Sequence, residues 1–388
     1  MRRLLSCLFL CLLPLLADAL ETPRPKIGLV LSGGAARGLA HIGVLKALEE
    51  QGIHIDAIAG TSMGAVIGGL YASGYKIDEL EKLALGIDWQ QALSDAPPRE
   101  DVPFRRKQDD RDFLVKQKLS FRDDGSLGLP LGVIQGQNLA LLLESMFAHS
   151  SNTRNFDKLP IPFRAVATDI TTGEKVVFSK GHLPQVIRAS MSIPAVFAPV
   201  ELDGRLLVDG GMTDNIPLDV AREMGVDIAI VVDIGTPLRS RKQLATVVDV
   251  LNQSITLMTR RNSEEQLKAL HPKDVLIQPP LAAYGVTDFG RAKDMIDAGY
   301  RATRALDVRL AHLRPAEPID PQLVAARTPG ERTPVITAIN VENDSKVSDD
   351  VIRYYIRQPL GEPLNLGRLQ TDMGTLYGLD YFEQVQYR

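Results

Sequence analysis

Two kinds of apolar pattern alternate along this chain. One is a short unbroken run of branched apolar residues, seen from Lys26 to Leu31, Ile53 to Ala59, Pro162 to Asp169 and Ile228 to Val232. Such runs predict strands buried on both faces. The other repeats every three or four residues. Leu39, Ile42, Leu45 and Leu48 mark a helix from Leu39 to Gln51, which Gly52 stops. Small residues predict a helix from Ala65 to Gly74, and further helices are expected over Gln137–Phe147, His182–Ala189 and Asn215–Met224. Thr172-Gly173 turns the strand that ends at Asp169 into a return strand, Lys175–Phe178. Glu201–Val208 reads as a strand pair around Asp203-Gly204. Strand, glycine loop, helix, strand, turn and helix thus follow one another at βαβ spacing. The fold class implied is α/β, with a mainly parallel sheet covered by helices on both faces.

The pattern fails in four places. The first twenty residues have a positive start (Arg2, Arg3), an apolar core (Leu4 to Leu16) and a small-x-small site at Ala17-Asp18-Ala19. That reads as a cleaved secretory signal over residues 1–19 in preference to a membrane anchor, since the core is short for a span and Pro14 breaks it. From Trp89 to Gly132 the chain is irregular and charged; it reads as a solvated excursion, the alternative being a mobile lid beside the site, with a hairpin expected around Asp123-Asp124-Gly125. Residues 314–334 carry Pro315, Pro318, Pro321, Pro329 and Pro334, so they read as a linker between a main domain (26–313) and a small module (335–388). In that module Val335–Val341 and Phe382–Tyr387 alternate like half-exposed strands. Helices are expected over Val347–Arg357 and Leu366–Tyr377.

Composition narrows the function. The 388 residues carry a formal net charge of −4, which argues against nucleic acid as a partner. The two cysteines, Cys7 and Cys11, both lie in the signal-like segment. Its removal leaves a chain without thiol chemistry or disulfides, suited to an oxidising compartment.

The candidate chemistry centres on Gly60-Thr61-Ser62-Met63-Gly64, an apolar run turned through Gly-x-Ser-x-Gly into a helix. This is the grammar of a nucleophile elbow. Gly60 and Gly64 are expected to spare the turn from crowding and to tolerate unusual backbone angles. The helix start favours developing negative charge. Upstream, Gly33-Gly34-Ala35-Ala36-Arg37-Gly38 follows a buried strand. No Gly-Lys-Ser/Thr follows, so it is not a P-loop. A dinucleotide fingerprint with Asp56 as ribose ligand is a second reading. An oxyanion hole is the reading the elbow favours: backbone N–H groups of Gly33, Gly34 and Ala35 beside the serine, with Arg37 adding charge or pinning the loop, and Gly38 completing it. Asp209, with Gly210 and Gly211 after it, ends an apolar strand in a tight turn. Alone it is a turn aspartate; beside an elbow it is the natural partner of Ser62. None of the six histidines, His41, His54, His149, His182, His271 and His312, sits where a serine hydrolase places its base. A Ser62–Asp209 dyad follows, with no metal and no cofactor.

These three motifs, in this order, resemble those of the patatin-like phospholipases. The block Ala189-Ser190, Ile193-Pro194, Phe197 and Pro199 is similar too; Ala35 stands where the family's loop has glycine. The likeness covers about Lys26 to Leu313. It implies a three-layer α/β/α domain and a Ser–Asp acyl hydrolase, phospholipase A-like, acting on phospholipid or a membrane surface. The alternative is a lipid- or nucleotide-binding surface protein without hydrolysis. The β-α-α-β order of the last residues resembles a POTRA domain, including the segment from Gly361 to Leu364. Signal, lipase, linker and POTRA together resemble the patatin-type autotransporters. That implies display at the outer membrane or secretion, or else a periplasmic protein, and a C-terminal outer-membrane barrel in a longer form. The unpaired final strand carries the expectation that the chain is a fragment or short form of such a protein.

Overall fold

The computed structural model describes residues 24–96, 120–121, 127–128, 132–315, 334–382 and 384–387. The signal-like segment, most of the charged excursion and nearly all of the linker lie outside the described residues. Eight strands form one sheet: β1 Ile27–Leu31, β2 Ala57–Thr61, β3 Phe163–Asp169, β4 Lys175–Phe178, β5 Val200–Leu202, β6 Arg205–Asp209, β7 Ile228–Val232 and β8 Val275–Ile277. Their order is β8-β7-β1-β2-β3-β6-β5, with β4 also paired to β3. The pairs from β8 to β3 are parallel; β4, β5 and β6 pair antiparallel.

The α-helices longer than four residues are α1 Ala40–Glu50, α2 Met63–Ala72, α3 Ile77–Gly86, α4 Gln137–Met146, α5 Leu183–Ser190, α6 Leu218–Glu223, α7 Val247–Lys268, α8 Ala292–Arg304, α9 Asp349–Tyr355 and α10 Leu366–Gly378. Side chains alternate across a strand, so β1 feeds two cores. Leu29 and Leu31 pack with Leu45 of α1, Leu70 of α2 and Met295 of α8. Val30 faces the other way, toward Val220 and Ala221 of α6. The expected three layers are present. Where α1 crosses α8 the two backbones touch: a Cβ on Gly43 would lie 1.8 Å from the Ile296 carbonyl oxygen, and one on Gly299 2.0 Å from that of Ala40.

Several expectations are corrected. The helix read over Asn215–Met224 begins only at Leu218, because Asn215 and Pro217 belong to the turn that serves the site. Helices α7 and α8 occupy a stretch where the sequence reading placed no element. The α7 start was legible as a capping box, with Thr246 and Asp249 bonding each other's backbone N–H. The hairpin exists as Ser120–Phe121 paired with Leu127–Gly128; the turn between them lies outside the described residues.

The C-terminal segment keeps its two helices but not its two strands. Val335 makes a single bridge to Pro363, and no strand forms between Phe382 and Tyr387 among the described residues. Alternation yields a strand only where a backbone ladder is available. Here the neighbour of Val385 is a side chain: Gln137 donates to its carbonyl at 2.6 Å and accepts from its N–H at 2.9 Å. Leu369, Met373 and Leu376 of α10 cluster with Leu141 of α4.

Candidate active site

Ser62 is the one residue between β2 and α2, and its backbone (φ 55°, ψ −124°) is one that side-chain-bearing residues rarely adopt. Such a conformation costs on the order of 1–3 kcal/mol and persists only when its surroundings impose it. Two glycines do so by proximity. A Cβ on Gly60 would lie 2.5 Å from the Gly64 carbonyl oxygen, and one on Gly64 2.2 Å from that of Leu31. Neither glycine has positive φ, so of the two reasons expected for them only crowding applies. The Ser62 N–H donates to Ser190 Oγ at 2.9 Å, and that hydroxyl donates to the Val166 carbonyl at 2.6 Å.

Asp209 arrives from the antiparallel side of the sheet. Thr61 aligns with Val166 and Asp209 with Ala167, so β3 holds the two one rung apart on its opposite edges. Gly210 makes the approach possible; a Cβ there would lie 2.2 Å from the Val166 oxygen. Ser62 Oγ donates to Asp209 Oδ2 at 2.6 Å, and the Gly211 N–H donates to Oδ1 at 2.8 Å. Both side chains are buried. Burial pushes the Asp209 carboxyl up to about 6, against the downward pull of the two hydrogen bonds. A carboxylate at that value accepts a proton near neutral pH far better than an ordinary aspartate.

The glycine loop stands beside the serine. A Cβ on Gly33 would meet Ser62 Cβ at 2.9 Å. Its N–H is already engaged by Asn215, by the side-chain Oδ1 at 3.2 Å and the carbonyl at 3.4 Å, which removes Gly33 from the expected donors. Among the described residues the amides of Gly34 and Ala35 have no acceptor. Ala35 has φ 50° and opens a 3-10 turn, Ala35–Leu39, leading directly into α1. Gly38 lies inside that turn. Its service is steric, since a Cβ there would lie 2.3 Å from Met63 Cγ. Arg37 is buried with Nε and Nη1 unpartnered among the described residues. Burial lowers its pKa and the charge of Asp233 opposes the shift.

Sequence reasoning missed the residues that tie these parts together. Asn262 on α7 donates to the carbonyls of Gly211 (2.9 Å) and Met212 (3.3 Å) and accepts from the Asn215 N–H at 3.1 Å. Asn215 also donates to Ser263 Oγ at 3.4 Å. No motif carries these asparagines. The Met63 amide, first in α2, is a further donor without an acceptor among the described residues, legible in hindsight as the residue after the nucleophile. Neither Ser62 nor Asp209 bonds a histidine among the described residues. His41 donates from Nε2 to the Ser32 carbonyl at 2.8 Å, and burial lowers it to about 4. His182 pairs with Glu144 at 2.8 Å. Asp56 sits before β2, at the end of the sheet opposite the glycine loop, and is held by Arg24 and the Ile27 N–H. It is not placed for a ribose.

Ser62, Asp209 and the loop open into a cleft of about 1390 Å³. Its walls include Met191, Phe197, Ile234, Leu281 and Ile255 of α7. The apolar lining and the buried Ser–Asp pair suit acyl transfer to a serine.

Comparison with known proteins bears on the family. The patatin-like phospholipase profile matches residues 29–222. An uncharacterized NTE family protein of Mycobacterium tuberculosis is 35% identical over 210 residues, 54% of this chain and 49% of that protein. Patatin-like phospholipase domain-containing protein 7 of Rattus norvegicus is 31% identical over 303 residues, 71% of this chain and 20% of that one. The chain therefore spans about half the length of the first relative and a fifth of the second. Among solved structures, VipD from Legionella pneumophila aligns with a TM-score of 0.42 at 20% identity, over 73% of this chain and 67% of that one.

Proposed function

The chain belongs to the patatin-like phospholipase family, and on that premise we propose that it hydrolyses acyl ester bonds of phospholipids through Ser62 and Asp209. The observation that carries the reading is the 2.6 Å hydrogen bond from Ser62 Oγ to Asp209 Oδ2, buried at the foot of the cleft. Ser62 Oγ attacks the ester carbonyl carbon as Asp209 takes its proton. The oxyanion that forms is held by the unengaged amides of Gly34 and Ala35, with Met63 at the positive end of α2. The intermediate collapses, the lysolipid alkoxide leaves with the proton from Asp209, and Ser62 is acylated. Water then attacks the acyl carbon as Asp209 takes its proton; the bond to Ser62 Oγ breaks, Asp209 returns the proton to Oγ, and the fatty acid leaves.

A fluorophosphonate probe will label Ser62, and the label will be lost in Ser62→Ala. Labelling that survives Ser62→Ala refutes the assignment, as does ester hydrolysis undiminished in Asp209→Ala. The same experiment separates the rival reading, since a lipid-binding protein without hydrolysis takes up lipid and ignores the probe. Single His→Ala variants keep activity within about tenfold, because a true general base is worth about a hundredfold or more. Activity lost to a chelator would sink the metal-free mechanism.

Export through residues 1–19 belongs to the same reading, supported by their charge and apolar pattern. N-terminal sequencing of the mature protein is expected to start at Leu20. A membrane barrel in a longer form of the protein completes the proposal; the two missing strands withdraw the support that the β-α-α-β order gave to a POTRA module. Sequencing the gene past the Arg388 codon decides the barrel, and an immediate stop codon refutes it.

A further inference from the structure

We propose that α7 is the element by which this protein docks on an anionic lipid surface, with the mouth of the cleft held against it. The inference rests on the phospholipase reading above for its choice of partner. The helix divides sharply by face. Asn252, Ile255, Thr256, Thr259 and Ser263 line the cleft. On the opposite side Val247, Val250, Leu251, Leu257 and Met258 follow one another at spacings of three, four, ten and eleven residues from Val247, one face of a helix. All five are exposed, Val247 to 76% and Val250 to 54%. Nothing among the described residues covers them. Leu238 is a further exposed apolar residue, and it lines the cleft.

Charge selects the occupant. From Arg239 to Arg261 the chain carries Arg239, Arg241, Lys242, Arg260 and Arg261 against the single acid Asp249, although the whole chain is net −4. Asp249 is paired with Arg239. Arg260 and Arg261 make only loose, exposed pairs with Glu264 and Glu265 one turn on, at 3.4 and 3.8 Å. Arg241 and Lys242 are exposed beside the apolar face with no acidic partner among the described residues. An apolar helix face with Arg241 and Lys242 unpaired near its start matches the interface of an anionic bilayer: apolar side chains reach the acyl boundary and cations meet the headgroups. The cleft opens along the same helix, so a lipid lifted from that surface has a short path to Ser62.

The test uses the purified chain and two kinds of vesicle, phosphatidylcholine alone and equal parts phosphatidylcholine and phosphatidylglycerol. The protein is expected to sediment with the mixed vesicles. Val250→Asp/Leu257→Asp will weaken that binding by about tenfold or more, and Arg241→Glu/Lys242→Glu by about fivefold per charge changed at low salt. Both pairs are exposed and off the cleft wall, so thermal melting and hydrolysis of a short-chain soluble ester stay as in the parent. Vesicle binding unchanged in both variants overturns the proposal. So does a parent that is dimeric in solution and becomes monomeric in the aspartate variant, because the face would then be an interface between copies. Sedimentation needs no turnover. A parent that binds vesicles and loses binding in the variants but hydrolyses no ester therefore supports the docking face while refuting the phospholipase reading.

Discussion

The two halves of the site are built in different ways. The Ser62 half sits on parallel strands and is fixed by contact distance: Gly60, Gly64 and Gly33 each lie where one added carbon would strike a neighbouring atom under 3 Å away. The Asp209 half arrives on an antiparallel strand and, apart from the close approach at Gly210, is fixed by hydrogen bonds, from Gly211, Asn262 and, through Asn215, from α7. Sterically fixed groups tolerate no adjustment, whereas bonded groups respond by degrees. Substitutions on the first side should therefore fail outright and those on the second should grade.

The sharpest way to break this contrast is Gly64→Ala. Its Cβ would press on the Leu31 and Ser32 carbonyls at 2.2 and 2.7 Å, both backbone atoms that cannot swing aside. Destabilisation above about 4 kcal/mol is expected, seen as loss of soluble protein or of a cooperative melt. A variant that folds and turns over normally would show that the elbow has slack.

Asp209→Asn tests the other half. Hydrolysis should drop by about 10²–10⁴, while a melt at pH 8 shows equal or greater stability, since the variant no longer buries a carboxylate that resists ionisation. A large loss of stability would mean the carboxylate is structural.

The pH profile follows from the same group. Hydrolysis per substrate encounter should rise about tenfold per pH unit up to about 6 and then level off. Stability moves oppositely. A carboxyl raised from 3.8 to about 6 contributes stability that is fully present below 3.8 and is lost as pH rises through 6. His41, lowered from 6.5 to about 4, contributes stability that is present above 6.5 and lost as pH falls through 4. The two contributions offset between those limits, so melts of Asp209→Asn should fall more steeply on acidification than those of the parent.

How much of this the sequence disclosed divides along the same line. The contact-fixed half was readable, because close approach demands glycine and glycine at fixed spacing is a motif: Gly33, Gly60, Gly64. Buried strands announced themselves by continuous apolar runs. The bond-fixed half was opaque. Asn215 and Asn262 are forty-seven positions apart, and an asparagine that bridges two turns carries no local signature. The C-terminal strands were misread because alternation describes a face, and whether a ladder completes it is decided by what lies alongside; at Val385 that is Gln137.

Asn262→Ala is the smallest of the expected effects. Three hydrogen bonds vanish, at Gly211, Met212 and Asn215. About 1–3 kcal/mol of stability should go with them, and activity on a soluble ester should fall about tenfold without shifting toward the Ser62→Ala level. A null effect on both would remove α7 from the support of the site.

The backbone contact between α1 and α8 has a consequence for how the cleft accommodates its cargo. With Gly43 against Ile296 and Gly299 against Ala40, those helices cannot slide, and the loop amides at Gly34 and Ala35 run straight into α1. The cleft is a vise with one fixed jaw. The opposite jaw is α7, gripped by amide side chains; if the proposed function holds, thick or branched acyl chains should be admitted by its yielding while the loop amides hold position. Hydrogen exchange should record the asymmetry, with slow amides in α1 and α8 and faster ones along the first turns of α7.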